Sequence, residues 1–163
     1  MYGYDRSMRR VFPPSRSEIP ANILAQYSSP IAEAELEWAR QARLAHPEIT
    51  SYGFSLPKCD PTGSFKRELT LPQLKMVAVC RRWLNFCPPV KRITKTIGTN
   101  GYKHNIEEWP LHPLEDTYIM EGALVLAVLH NGTPIQKAPY NSRSAFLGVA
   151  APSVYNLRLW EMV

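Results

Sequence analysis

Apolar residues recur at three- and four-residue spacing in two long stretches of the chain, which is the spacing of a helix with one buried face. The first stretch covers residues 30–45, and Ser29 is suited to cap its start. The second covers residues 71–86, where Thr70 and Gln73 have the residue types and spacing of a capping box. Both segments are therefore predicted to be helices that share one hydrophobic core.

A further helix is predicted near residues 118–129, which are apolar apart from one acidic residue. A helix that is apolar on all sides is buried, and this one is too short to cross a bilayer. Asp116 or Thr117 is suited to cap its start, and Gly132 lies where a C-terminal stop is expected. Gly122 is expected where this central helix approaches a neighbour closely.

The remaining elements are shorter. Residues 102–109 predict a brief third helix, and residues 98–101 ahead of it predict a turn. The β-branched residues 90–97 predict a strand or an extended segment. Towards the C-terminus the period changes to two, so residues 145–150 and 154–161 predict a β-hairpin.

These elements predict a helix-rich α+β fold with about four helices, a C-terminal β-hairpin and an extended N-terminal arm. A length of 163 residues suits one domain. We assign residues 1–28 to a basic, proline-rich arm and residues 29–163 to a single globular domain. Pro13, Pro14 and Pro20 prevent a long helix in the arm, which is interpreted either as a loosely packed tail or as a partner-binding segment.

The formal net charge of +5 is unevenly distributed along the chain. Residues 58–105 contain ten Lys and Arg against two acidic residues, whereas the positive and negative charges of the rest of the chain nearly cancel. On the helix 71–86, four polar residues fall in one wedge of roughly 120° and are expected to face solvent or a partner. They are Lys75, Arg81, Arg82 and Asn85.

Cations together with short polar side chains and a helix N-terminus are the groups that contact a phosphate backbone. The sequence therefore predicts a surface that binds nucleic acid or an acidic protein or nucleoprotein surface, with a merely solvated basic surface as the alternative. The predicted binding residues are Arg81, Arg82, Lys91, Arg92, Lys95, Lys103 and His104, with Arg9 and Arg10 from the arm.

No sequence signature of an enzyme or a metal site stands out. The four His and three Cys residues show neither Cys-x-x-Cys nor His-x-x-x-His spacing, and there is no nucleophile elbow or phosphate-binding glycine loop. Adjacent Glu107 and Glu108, near His104, point ~100° apart on a helix, which favours solvated surface over an acid–base pair. We expect no enzymatic activity, no metal and no cofactor.

The sequence favours a cytoplasmic location. Residues 1–16 carry four Arg without the apolar core of a secretory signal, and no apolar stretch is long enough to span a bilayer. Three cysteines with no close pair fit a reducing compartment rather than a disulfide framework.

Three short runs resemble a pattern found in small uncharacterised proteins of bacterial plasmids, phages and integrative elements. They are residues 99–104 (Thr-Asn-Gly-Tyr-Lys-His), 107–109 (Glu-Glu-Trp) and 118–127. In those proteins a Ser-Tyr-Gly-Leu-Lys-His-like box precedes a Tyr-Ile-x-x-Gly-x-x-x-x-Ala helix and a short hydrophobic tail. Here Gly101 precedes Tyr102, and Lys103 follows directly. The resemblance covers roughly residues 70–150 and implies a mobile-element origin in a bacterial host cell, without implying an activity.

Three functions fit these patterns. The first is a non-enzymatic protein of a mobile element or phage that contacts nucleic acid or a nucleoprotein complex through the basic segment. The alternative is a small inhibitor or adaptor of a host defence complex, anti-CRISPR-like or anti-restriction, that acts through protein–protein contacts. The third is a structural subunit, possible as a homo-oligomer, whose arm and hairpin join neighbouring copies.

Overall fold

The computed structural model describes residues 17, 19–54, 65–87, 90–93, 95, 97–139 and 144–149. The described part of the chain forms helices followed by one antiparallel hairpin, which confirms the predicted helix-rich α+β class. The elements in chain order are α1 (Ala21–Tyr27), α2 (Glu33–Ala45), α3 (Leu71–Phe86), α4 (Thr99–Glu107), α5 (Glu121–Asn131), β1 (Ile135–Lys137) and β2 (Ala145–Leu147).

Helix α3 forms as the capping-box pattern predicts. The Gln73 amide donates to Thr70 Oγ1 at 3.4 Å, and the Thr70 amide donates to Gln73 Oε1 at 2.9 Å. This reciprocal pair satisfies two backbone donors that the first turn of a helix leaves without a partner. Most of the helix is buried, and it packs against α2 and α5 in the centre of the fold.

Helix α5 is buried along Gly122–Val128, as its uniform apolar character predicts. It begins at Glu121 rather than after Asp116 or Thr117, because Asp116 Oδ1 instead accepts the Tyr118 amide at 3.1 Å in a turn. Its end is as predicted, with Gly132 in the left-handed conformation at φ 73°. Of the described helices, none combines the length and the apolar character that a membrane span needs.

Gly122 allows the backbone of another segment to touch the start of α5. Its amide donates to the Ser51 carbonyl at 3.0 Å, and a Cβ at this position would overlap the Thr50 carbonyl oxygen. The close approach that the sequence predicts is thus made to the chain after α2 rather than to another helix.

The predicted arm contributes to the body of the protein. Within residues 1–28, the described part contains α1, and Ile19 and Ile23 belong to the hydrophobic core. The boundary placed at residue 28 is therefore not a structural boundary for the described residues. Residues 1–16 and 18, including Pro13 and Pro14, lie outside the described residues.

Helix α2 begins at Glu33, three residues later than predicted, and Ser29 does not cap it. The Ala32 amide donates instead to Glu35 Oε1 at 3.1 Å. Helix α4 begins at Thr99, so the predicted turn at residues 98–101 is its first turn.

The hairpin pairs different segments from those predicted. Ile135 lies opposite Leu147, Gln136 opposite Phe146, and Lys137 opposite Ala145. Strand β2 therefore falls within the predicted strand 145–150, but its partner precedes it in the chain. The other predicted strand, residues 154–161, lies outside the described residues.

Candidate nucleic-acid interface

The segment from Val90 to Gly98, called the basic loop below, is attached at both ends to the chain at and directly after β2. At its start the Val90 amide donates to the Gly148 carbonyl at 3.1 Å. At its end Gly98 forms an isolated antiparallel bridge with Phe146. The described residues of the loop do not form the strand considered from the sequence. Both ends are nevertheless held by residues 146–148, at the end of β2 and directly after it, so the loop has a fixed base.

Three of the predicted binding residues project from the basic loop. Lys91, Arg92 and Lys95 are exposed, and within the described part of the chain none of them forms an ion pair or a hydrogen bond. They line an open cavity of about 810 Å³ together with Val90, Ile93 and Gln136. The cavity thus combines a cationic rim with apolar and amide groups.

Arg82 does not belong to this surface. Its residue is only 8% exposed, and all five of its N–H groups have partners inside the protein. Nε and Nη2 donate to the two carboxylate oxygens of Glu35 at 2.7 Å each. Nη1 and Nη2 also donate to the carbonyls of Tyr27, Ser29 and Pro30, at distances of 2.5 to 3.1 Å. The prediction that Arg82 faces a partner is wrong, because this guanidinium organises the connection between α1 and α2.

The pair formed by Arg82 and Glu35 changes the acidity of the carboxyl group. Burial by itself disfavours the carboxylate and raises its pKa. Hydrogen bonds from Arg82 and from the Ala32 amide outweigh burial, so the pKa of Glu35 lies below its ordinary value. Glu35 is therefore held as a carboxylate at a partly buried position between α2 and α3.

Arg81 is engaged by stacking within the protein. Its guanidinium carbon lies 4.4 Å from the centroid of the Trp38 ring, and Trp38 in turn meets His130 edge-on at 4.9 Å. Burial, and then electrostatic interaction with His46 and Arg81, lower the pKa of His130. Arg81 is partly exposed, but one face of its guanidinium group stacks on the aromatic side chain from α2.

Lys103 and His104 converge on Glu107 rather than on the basic loop. Lys103 Nζ lies 3.6 Å from Glu107 Oε1 and donates to the Ile119 carbonyl at 3.1 Å. His104 Nδ1 lies 2.8 Å from the same carboxylate oxygen, and its side chain is 61% exposed. Glu107 Oε2 also accepts the Ile119 amide at 3.3 Å. This cluster joins α4 to the segment before α5.

The start of α4 carries a second hydrogen-bonded cluster, beside β2. Thr99 Oγ1 donates to Glu121 Oε1 at 2.5 Å, and Ser144 Oγ donates to the same oxygen at 2.7 Å. Thr99 Oγ1 also accepts the Ala145 amide at 3.1 Å. These bonds fix the end of the basic loop relative to β2 and α5.

Of the nine predicted binding residues, the structure places three together on the basic loop, and Arg9 and Arg10 lie outside the described residues. The sequence did not single out Gln136, Val90 or Ile93, which line the same cavity. The apolar residues interspersed with the cations in residues 90–95 are the sequence feature that could have indicated an apolar part of the cavity. No family model, curated protein or solved structure matches this chain.

Proposed function

We propose that this protein is a non-enzymatic binding protein that contacts the phosphate backbone of nucleic acid, free or within a nucleoprotein complex, through the basic loop. The observation that carries the proposal is the exposure of Lys91, Arg92 and Lys95 without an acidic partner among the described residues. A cation that is not neutralised within the protein keeps its attraction for phosphate, and its binding releases counterions from the nucleic acid.

The anchoring of the loop supports the same proposal. Because Val90 is held by Gly148 and Gly98 by Phe146, the three cations start from a fixed base rather than from a free tail. Phosphate contacts of this kind fix the position of a protein on nucleic acid without reading its sequence. The resemblance to proteins of plasmids, phages and integrative elements is consistent with such a role in the cytoplasm of a bacterial host.

The salt dependence of binding tests this function. Binding of fluorescent DNA and RNA fragments is measured across a salt series for the full chain and for Lys91/Arg92/Lys95→Gln. If all three residues contact phosphates of a duplex, the slope of log K against log salt decreases in magnitude by about 2 to 3 in the variant. The absence of binding to any nucleic acid at low salt would refute the proposal.

A matched charge control is available in the segment before α3 and in its first turns. Lys66/Arg67/Lys75→Gln removes the same number of cations outside the basic loop, and it is expected to leave most of the slope intact. An equal loss in both variants would mean that net charge, and not the basic loop, drives binding. Partner binding that persists at high salt and survives both substitutions would instead favour the inhibitor or adaptor that acts through protein contacts.

A further inference from the structure

The outer face of the hairpin carries an aromatic side chain next to the basic loop. Ala145 and Leu147 of β2 are buried in the fold, whereas Phe146 between them is half-buried. Successive side chains of a strand point to opposite faces, so Phe146 points away from the core. Directly paired residues share a face, which places Gln136 beside Phe146.

Gln136 connects this face to the cavity of the basic loop. Gln136 lines the cavity together with Lys91, Arg92 and Lys95. Phe146, opposite Gln136, does not itself line the cavity, but it lies on the same face of the hairpin as a residue that does. The bridge between Phe146 and Gly98 also brings the end of the basic loop to the same strand.

Phe146 has no role in the described core that would explain a large ring at this position. Most half-buried apolar side chains of the described chain, such as Phe54 and Ile135, pack against the core cluster. Within the described residues Phe146, Val90 and Ile93 are half-buried but are not among those side chains. Two aliphatic side chains and an amide thus share a cavity with three cations, and the Phe146 ring is one pairing position away through Gln136.

We propose that this site binds single-stranded nucleic acid, with a base stacked on Phe146 and the flanking phosphates held by Lys91, Arg92 and Lys95. This inference rests on the proposed function and names its substrate class. Aromatic rings and a cationic groove are the two elements with which proteins bind single strands. In a duplex the base faces are already stacked on one another, so a ring on the protein surface gains nothing there. The Gln136 amide offers a donor and an acceptor to the edge of the stacked base.

Substitution of Phe146 tests the inference. Binding of a labelled oligothymidylate, an oligouridylate and a mixed-sequence DNA duplex is compared for the full chain, Phe146→Leu and Phe146→Trp. We expect Phe146→Leu to weaken binding to single strands by about tenfold or more and to leave duplex binding unchanged. We expect Phe146→Trp to keep the affinity for single strands and to gain a fluorescence signal that the oligonucleotide quenches.

The matched control is Phe54→Leu, which makes the same change at a half-buried ring that packs on the core. It is expected to leave the affinity for single strands within about twofold once folding is verified by circular dichroism. Unchanged affinity in Phe146→Leu, or an equal loss for single strands and duplex, would overturn the inference. If Phe146→Leu does not fold, the Phe146→Trp signal decides, and the absence of quenching overturns the inference.

The wild-type protein separates this inference from the proposed function. Tight binding to the duplex with none to either single strand would overturn the single-strand site but leave the basic loop as a nucleic-acid surface. The absence of binding to all three probes would refute both the single-strand site and the proposed binding of nucleic acid by the basic loop.

Discussion

Arg82 and Glu35, 47 positions apart in the chain, meet through two parallel hydrogen bonds of 2.7 Å each. The same guanidinium binds the carbonyls of Tyr27, Ser29 and Pro30, so the connection between α1 and α2 wraps around it. A cation from the most basic part of the sequence therefore holds the fold together, and the surface available to a partner is smaller than the charge distribution suggests.

Removal of this guanidinium is expected to destabilise the fold strongly. Arg82→Gln leaves the Glu35 carboxylate with little compensation and several carbonyls without a donor. Breaking a fully buried ion pair from one side costs about 3–5 kcal/mol, and because this pair is only partly buried the loss should lie near the lower end of that range. The free energy of unfolding, measured by urea titration with tryptophan fluorescence, should fall by an amount of this order.

Arg92→Gln provides the control for this prediction, because it removes the same charge from an exposed position on the basic loop. Its effect on the free energy of unfolding should stay within about 0.5 kcal/mol. Equal destabilisation by both substitutions would mean that the hydrogen bonds of Arg82 contribute little beyond its charge.

The lowered pKa of Glu35 predicts a defined dependence of stability on pH. In the folded protein the carboxyl group binds its proton at lower pH than in the unfolded chain, because Arg82 and the Ala32 amide favour the carboxylate over the opposing effect of burial. The stabilisation is therefore complete above the ordinary pKa of Glu and is lost as the pH falls through the folded value. Urea titrations between about pH 6 and pH 3 should show this loss.

Glu35→Gln removes the titrating group and keeps a similar shape. The variant should be less stable than the wild type at neutral pH, and the difference between the two should shrink as the pH falls. A difference that stays constant over this range would contradict the assignment of the acid-dependent stability to Glu35.

The close approach at Gly122 predicts that even a methyl group is not tolerated there. In Gly122→Ala the new Cβ would overlap the backbone oxygen of Thr50, and the Phe65 ring lies 2.9 Å from the same point. The backbone of the chain after α2 would have to move, which should lower the free energy of unfolding by about 1–3 kcal/mol or more. Thermal unfolding by circular dichroism measures the effect.

The glycine at the opposite end of α5 serves as the control. Gly132 has open space around it and needs only the left-handed conformation, which Asn also adopts readily. Gly132→Asn should therefore change stability by less than about 1 kcal/mol. A larger loss than in Gly122→Ala would mean that backbone conformation matters more here than close contact.

Features that depend on neighbours in the chain were predictable from the sequence. The capping box at Thr70 and Gln73 and the C-terminal glycine at Gly132 act within a few residues, and both occur where the pattern places them. The burial of α5 follows from its composition alone. The fold class was correct because it depends on these local elements.

Features that depend on distant partners were not predictable in the same way. The charge of Arg82 gives no indication that Glu35 and three carbonyls surround it, since these lie far away in the chain. The wedge formed by Arg82 and its neighbours on α3 assumes that cations face solvent, and buried hydrogen bonding overrides that tendency. The pairing of β2 with Ile135–Lys137 likewise depends on a loop closure that short-range patterns do not encode.

The attachment of the basic loop predicts that affinity can be lost without any change in charge. A Cβ at Gly148 would lie 2.7 Å from the Val90 carbonyl oxygen and 2.7 Å from Pro134 Cβ. Gly148→Ala should therefore push the start of the loop away from β2 and weaken the hydrogen bond from the Val90 amide to Gly148. We expect faster hydrogen exchange at Val90 and weaker binding of nucleic acid, both measured on the full chain.

Gly98→Ser is the matched substitution at the other end of the loop. The nearest atoms to a Cβ at Gly98 are 3.6 Å away, which is ordinary van der Waals contact, and Ser is a favoured residue at this N-cap position. Hydrogen exchange at the Val90 amide and the affinity for nucleic acid should both stay close to those of the wild type. Gly148→Ala could instead weaken nucleic-acid binding while hydrogen exchange at the Val90 amide is unchanged. In that case the hydrogen bond at Val90 does not position Lys91, Arg92 and Lys95, and the fixed base of the loop is at its Gly98 end.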